Sequence, residues 1–178
     1  VHSSLEHYPI VMTRDLDRAR NWLRGRARGS ERYGLVASAN ALRLRPVGIH
    51  VKSKINVAAW FLNPKGDVRS SYALEETASE FEIQGLELDW VGICWDANFR
   101  CSVEGWDLHK FTGTRWNTVK DLYRRMYLAN TYRVLLTRAR QGMVILVPYG
   151  SDDDPTRQSD YYDGTFSFLE KCGIDKIE

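Results

Sequence analysis

What this 178-residue sequence has little of narrows its function first. It holds three cysteines, Cys94, Cys101 and Cys172, an odd number with no Cys-x-x-Cys pair. Structural zinc wants closely spaced pairs, so no metal site is expected, and reduced thiols of a cytoplasmic protein are the plain reading. No apolar run approaches the roughly 20 residues that cross a bilayer, so no membrane partner is expected. The opening Val1-His2-Ser3-Ser4-Leu5-Glu6 lacks a basic leader followed by an apolar stretch, so no signal peptide is expected, and the abrupt start is the one a piece of a longer protein would show. Nothing matches the phosphate loop G-x-x-x-x-G-K-[ST]: Gly25 to Gly29 leads into Ser30-Glu31 with no lysine. Without a glycine-rich loop, a nucleotide-binding domain of metabolic type is excluded. No acidic pair follows an early strand where magnesium would be held. His2, His7, His50 and His109 have no paired nucleophile in the sequence, which removes triad-type hydrolysis.

What is present is the composition of an ordinary soluble domain, 43% apolar and 27% charged, long enough for one core. The net charge is only +2, which argues against a histone-like polyelectrolyte. Its distribution is uneven. Seven arginines fall between Arg14 and Arg32, and Asp152-Asp153-Asp154 forms an acidic knot near the end. Arginine suits bidentate phosphate contacts; a solvated helix face accounts for the same residues equally well.

Strand and helix signals alternate, which predicts an α/β layered domain with a mainly parallel sheet. Strands are expected at residues 9–12, 33–37, 75–79, 90–95 and 143–147. A helix is expected through Leu16, Ala19 and Leu23 as far as Gly25 or Gly29, and a short one over 55–62, closed by Asn63-Pro64-Lys65-Gly66. Residues 99–117, rich in glycine and aromatics, read as an irregular insertion. A long helix is expected from Val119 to about Ala139, with Leu122, Met126 and Ala129 on its apolar face and Arg124 and Arg125 turned away. Residues 1–150 read as the domain, and residues 151–178 as a linker with a packing helix near 165–172.

Two segments carry chemistry. In the first, Glu80-Phe81-Glu82-Ile83-Gln84-Gly85-Leu86-Glu87-Leu88-Asp89 leads into the buried run at Trp90. Gln84 places an amide beside a glycine free to adopt φ > 0, and Glu87 can accept hydrogen bonds from a hydroxyl such as a ribose. In the second, residues 130–140, ending Leu135-Leu136-Thr137-Arg138-Ala139-Arg140, lead into the run at Met143. On a helix, two arginines two apart lie about 200° apart and cannot both meet one ligand atom. The plainer readings are a turn at Gln84-Gly85 and two arginines facing a helix dipole.

Order and context favour more than that. Gln84-Gly85-Leu86-Glu87 before an apolar strand resembles motif V of superfamily-one helicases. Leu135-Leu136-Thr137-Arg138-Ala139-Arg140, followed by Gly142 and an apolar strand, resembles motif VI. Together with residues 34–45, these segments also resemble a bacterial family with a Schlafen-group-three-like DNA/RNA helicase domain, over most of residues 8–148. The resemblance implies a RecA-like, three-layer second motor domain. It implies ATP and Mg2+ bound mainly by an N-terminal P-loop domain of the same protein, and single-stranded DNA or RNA as partner. It implies Arg138 as the arginine given to the γ-phosphate, with Gln84, Gly85, Glu87, Arg140 and Arg43 near the nucleotide. The expected function is the C-terminal half of an ATP-dependent helicase or translocase; the alternative is a nucleotide-gated nucleic-acid-binding or regulatory module that does not unwind. Of the six tryptophans, most are expected in the core, with one or two of Trp60, Trp95, Trp106 and Trp116 available for base stacking.

Overall fold

A computed structural model describes residues 8–177. Nine strands and four α-helices alternate along it: β1 (Ile10–Thr13), α1 (Leu16–Arg26), β2 (Tyr33–Ala37), α2 (Val57–Leu62), β3 (Thr77–Ser79), β4 (Leu88–Cys94), β5 (Phe99–Ser102), β6 (Gly105–Thr112), β7 (Arg115–Thr118), α3 (Leu122–Leu136), β8 (Ala139–Leu146), α4 (Asp160–Lys171) and β9 (Asp175–Lys176). Six strands form one sheet in the order β3-β2-β4-β8-β1-β9, and each of its pairings is parallel. The central strands read as near-continuous apolar runs because helices cover both faces.

Alternation along the strands sorts side chains into two cores. Leu35, Ala37, Cys94, Val144 and Leu146 meet Ala19 and Leu23 of α1 on one face. Val36, Val91, Ile93, Met143 and Ile145 meet Tyr132 and Leu135 of α3 and Tyr162 and Leu169 of α4 on the other. Three layers around a mainly parallel sheet make this an α/β domain of RecA-like form, as the alternating pattern predicts. Helix starts are written locally: Asp15 accepts the Arg18 N–H at 2.8 Å, Asn56 that of Ala59 at 3.0 Å and Asp121 that of Arg124 at 2.9 Å.

Four expectations are corrected. Residues 99–117 are not irregular: β5, β6 and β7 form a separate three-stranded antiparallel sheet, turned at Gly105 (φ +113°) and Gly113 (φ +63°). The long helix ends at Leu136, and Ala139 already belongs to β8. Its buried face is Leu128, Thr131, Tyr132 and Leu135, whereas Leu122 and Met126 are exposed. Nor is Arg125 turned away, since it donates to Asp107 at 3.1 Å and to the Val119 carbonyl at 3.0 Å. The segment after residue 150 folds onto the rest, with α4 against β5 and β9 pairing with β1.

Several of the clustered arginines are structural. Arg32 donates to the carbonyls of Trp60 and Asn63 and to the hydroxyls of Ser70 and Ser71, and lies 4.4 Å from the Tyr72 ring centre. Arg14 pairs with Asp163 and donates to the Pro148 carbonyl. Trp60 and Trp95 are buried, and Trp116 donates its indole N–H to Thr156 at 2.8 Å. Among the described residues no helix is long and apolar enough to cross a membrane.

Candidate functional site

The pairing of β4 with β8 sets Leu88 opposite Ala139, so the chain entering each strand arrives at the same end of the sheet. Residues 84–87 and Arg138 therefore meet there. The Leu88 N–H donates to the Arg138 carbonyl at 3.1 Å, and the Arg138 guanidinium reaches back to the carbonyls of Leu86 (3.5 Å) and Val134 (3.2 Å). The two segments that stood out in the sequence, about fifty residues apart along the chain, thus form one edge.

Local chemistry shapes each half of it. Glu82 accepts the N–H and the hydroxyl of Ser79 at 2.7 and 2.8 Å, which bends the chain directly after β3. Gly85 adopts φ +81° and the Leu86 N–H closes onto Ile83 at 2.9 Å, leaving Gln84 and Glu87 on the surface. A Cβ at Gly85 would meet nothing within 4 Å, so the left-handed backbone rather than crowding favours glycine here. On the other side, Thr137 caps the end of α3 by donating its hydroxyl to the carbonyls of Arg133 and Val134, both at 3.0 Å. Arg138 follows outside the helix, and Arg140 lies on β8. The spacing of about 200° therefore does not apply, since the two arginines do not share a helix.

Arg138 is half-buried. Its contacts are to neutral oxygens, with Thr137 as the third at 3.4 Å, and no carboxylate among the described residues pairs with it. The side chains of Gln84, Glu87 and Arg140 are exposed and make no hydrogen bond or ion pair with the described residues. A guanidinium held by carbonyls, beside a free carboxylate, amide and second guanidinium, is equipped to meet a phosphate chain and its sugar.

Arg43 stands apart. It follows β2 at the opposite end of the strands, about 20 Å away along the seven-residue β4. There its guanidinium pairs with Asp154 at 2.7 Å and its backbone N–H donates to Asp96 at 2.9 Å. The structure brings Gln84, Gly85, Glu87, Arg138 and Arg140 to one edge and leaves Arg43 out.

One positioning residue was passed over. Glu80 is buried; its carboxylate accepts the Ala39 N–H at 2.7 Å and the Thr131 hydroxyl of α3 at 3.3 Å, so it ties the 80–89 segment to the helix that leads to Arg138. Its signal was a carboxylate directly after a predicted strand, ahead of an apolar run that leaves little room for unpaired charge. The thiols take no part: Cys94 is fully buried, and burial pushes it up to about 12. Among the described residues no group of three or more His, Cys, Asp or Glu stands close enough to hold a metal ion.

No curated protein and no solved structure matches the chain significantly. A family profile does, over residues 1–149: Schlafen group 3, DNA/RNA helicase domain. That match spans most of the 178 residues and includes the whole edge built from residues 84–87, 138 and 140, and the chain belongs to this helicase-domain family.

Proposed function

We propose that this chain is the C-terminal motor half of an ATP-dependent DNA or RNA helicase or translocase, with Arg138 as its arginine finger. In this reading the nucleotide and Mg2+ are held mainly by a P-loop domain elsewhere in the same protein. Arg138 enters from the second side as charge builds on the transferring phosphoryl group. Gln84, Gly85 and Glu87 face the sugar and phosphates, and Arg140 lies beside them. The observation that carries the reading is the convergence of residues 84–87 and Arg138 on one edge, where the guanidinium rests, among the described residues, on neutral oxygens. Such a contact exchanges readily for a phosphate oxygen, because an anionic acceptor adds charge attraction and a bidentate fit that a single carbonyl does not offer the guanidinium.

An arginine finger is worth about 10³- to 10⁵-fold in rate in P-loop enzymes. ATP turnover by the full-length protein is therefore expected to fall by at least about 10³-fold in Arg138→Ala, with the circular-dichroism spectrum unchanged. The assay compares wild type and variant with and without single-stranded nucleic acid. Equal turnover in both proteins, or none in either, would overturn the motor assignment and favour a nucleotide-gated binding module.

A further inference from the structure

The sheet edge opposite Arg138 carries two clefts, one on each side of the β6–β7 hairpin. The first, about 690 Å³, lies between the hairpin tip and residues 39–53. The second, about 660 Å³, lies between the other side of the hairpin and the start of α3. They share Asn40, Lys110, Thr112 and Gly113, so they form one trough that passes over the tip.

The trough is basic out of proportion to the chain. Arg45, Lys52 and Lys110 line the first part, and Arg115, Lys120 and Arg124 join Lys110 in the second. All six are exposed, and none of their side chains has a hydrogen-bond or ion-pair partner among the described residues. The whole sequence, by contrast, is nearly balanced, at +2. Among the described residues that line the walls, Asp121 is the one carboxylate, and it caps α3. Six free cations on a concave surface make a deep positive potential, which a polyanion relieves and which surface ion pairs leave unanswered.

The second cleft also ends on aromatic surface. Tyr127 lines it and stacks on Phe81 with ring centres 6.4 Å apart and planes at 29°; both rings are about half-exposed. Tyr123, one helical turn earlier, is 81% exposed. Cations along a groove with flat aromatic faces beside it are the means by which a single strand is held: phosphates along the cations, bases on the rings. A duplex offers no free base faces, and an acidic protein has no use for the rings.

We infer that this trough is the path of a single-stranded nucleic acid and that the β6–β7 hairpin is the element that guides it. The inference rests on the nucleic-acid part of the proposed function and is independent of Arg138.

Fluorescence anisotropy of a labelled oligothymidylate and an oligouridylate, with the intact protein and no nucleotide, tests it. With about six phosphates neutralised, log K against log salt should have a slope of about −4. Lys110→Glu with Arg115→Glu should weaken binding at least about tenfold and flatten the slope, whereas Lys110→Arg should bind as wild type. Tyr127→Ala should weaken binding with the slope unchanged. Binding unaffected by the Lys110 and Arg115 reversals would overturn this path while leaving a nucleic-acid motor standing. No binding by wild type would overturn both. Equal displacement by poly-glutamate, with no effect of Tyr127→Ala, would make the trough a site for acidic protein and overturn the inference.

Discussion

Glu31 shows how a single residue near the surface can have a fixed charge. Its carboxylate accepts the Trp90 indole N–H at 2.9 Å and the Arg28 backbone N–H at 2.9 Å. The Trp90 bond first, then the Arg28 bond, pull its pKa down to about 2 from the ordinary carboxylate range. The sign follows from proton linkage. A carboxyl whose folded pKa lies below its unfolded one contributes stability that is fully present above the unfolded value, near 4.5, and is lost as pH falls through about 2. In a carbon-detected NMR titration, Glu31 is therefore expected to remain ionised at about pH 3, where free glutamate is mostly protonated. Trp90→Phe should move its midpoint up toward the ordinary range. A wild-type midpoint near the ordinary value would refute the bond. None of this was legible in the sequence, where Glu31 and Trp90 are far apart. Of the oxygens that hold Arg138, those of Val134 and Thr137 are its neighbours in the chain, whereas that of Leu86 comes from a distant segment.

At the scale of elements, strands defined by unbroken apolar runs were readable and faces were not. Trp90 to Trp95 announces β4 because burial on both sides leaves no polar alternation to confuse. The apolar positions Leu122, Met126 and Ala129 do share a face of α3, but the core chose the opposite one, with Thr131 and Tyr132 in it. Tyr132 belongs inside because its hydroxyl finds Asn98 at 2.5 Å, a partner no helical period reveals. The small sheet was missed although glycines eight apart, Gly105 and Gly113, mark both of its turns. Its strands carry few apolar residues, since only one side packs, against α4, Tyr132 and Trp95. The fit of α4 onto that sheet gives a sharp test. A Cβ on Gly164 would stand 2.0 Å from the Cys101 carbonyl oxygen, where the Cys101 N–H already donates to Thr165 at 3.0 Å. Backbone cannot yield as a side chain does, so Gly164→Ala should cost at least about 1–3 kcal/mol despite alanine's better helix propensity. Urea unfolding measures it; a midpoint equal to wild type would show that α4 does not dock this closely.

In the whole molecule, α3 joins the edge at Arg138 to the basic trough. Its first turn, at Asp121 and Arg124, borders the basic trough, and its last turn delivers Arg138 to the opposite edge, about 22 Å away for fifteen residues. In the proposed motor, a strand in the trough and a nucleotide at Arg138 would bear on the two ends of one rigid helix. Asp96, fully buried just past β4, meets that helix at Tyr132, in its second half. Its carboxylate accepts N–H bonds from Ala97 at 2.8 Å and Arg43 at 2.9 Å and the Tyr162 hydroxyl at 3.0 Å, so it ties α4 and the segment after β2 together. Its backbone N–H meets the Tyr132 hydroxyl of α3 at 3.3 Å. Asp96→Asn turns an amide NH₂ toward groups that are themselves donors, and one unmade buried bond costs about 1–3 kcal/mol. The pH dependence separates this from simple loss of packing. Burial raises the Asp96 pKa above its unfolded value, more than its donors lower it. A raised carboxyl favours folding most at low pH and loses that advantage as pH climbs above about 4. Asparagine has no such titration. The wild-type lead over Asp96→Asn in urea midpoint should therefore be larger at about pH 4.5 than at about pH 7.5. A lead that grows with pH would mean that the three donors outweigh burial, and that Asp96 is a stabilised anion.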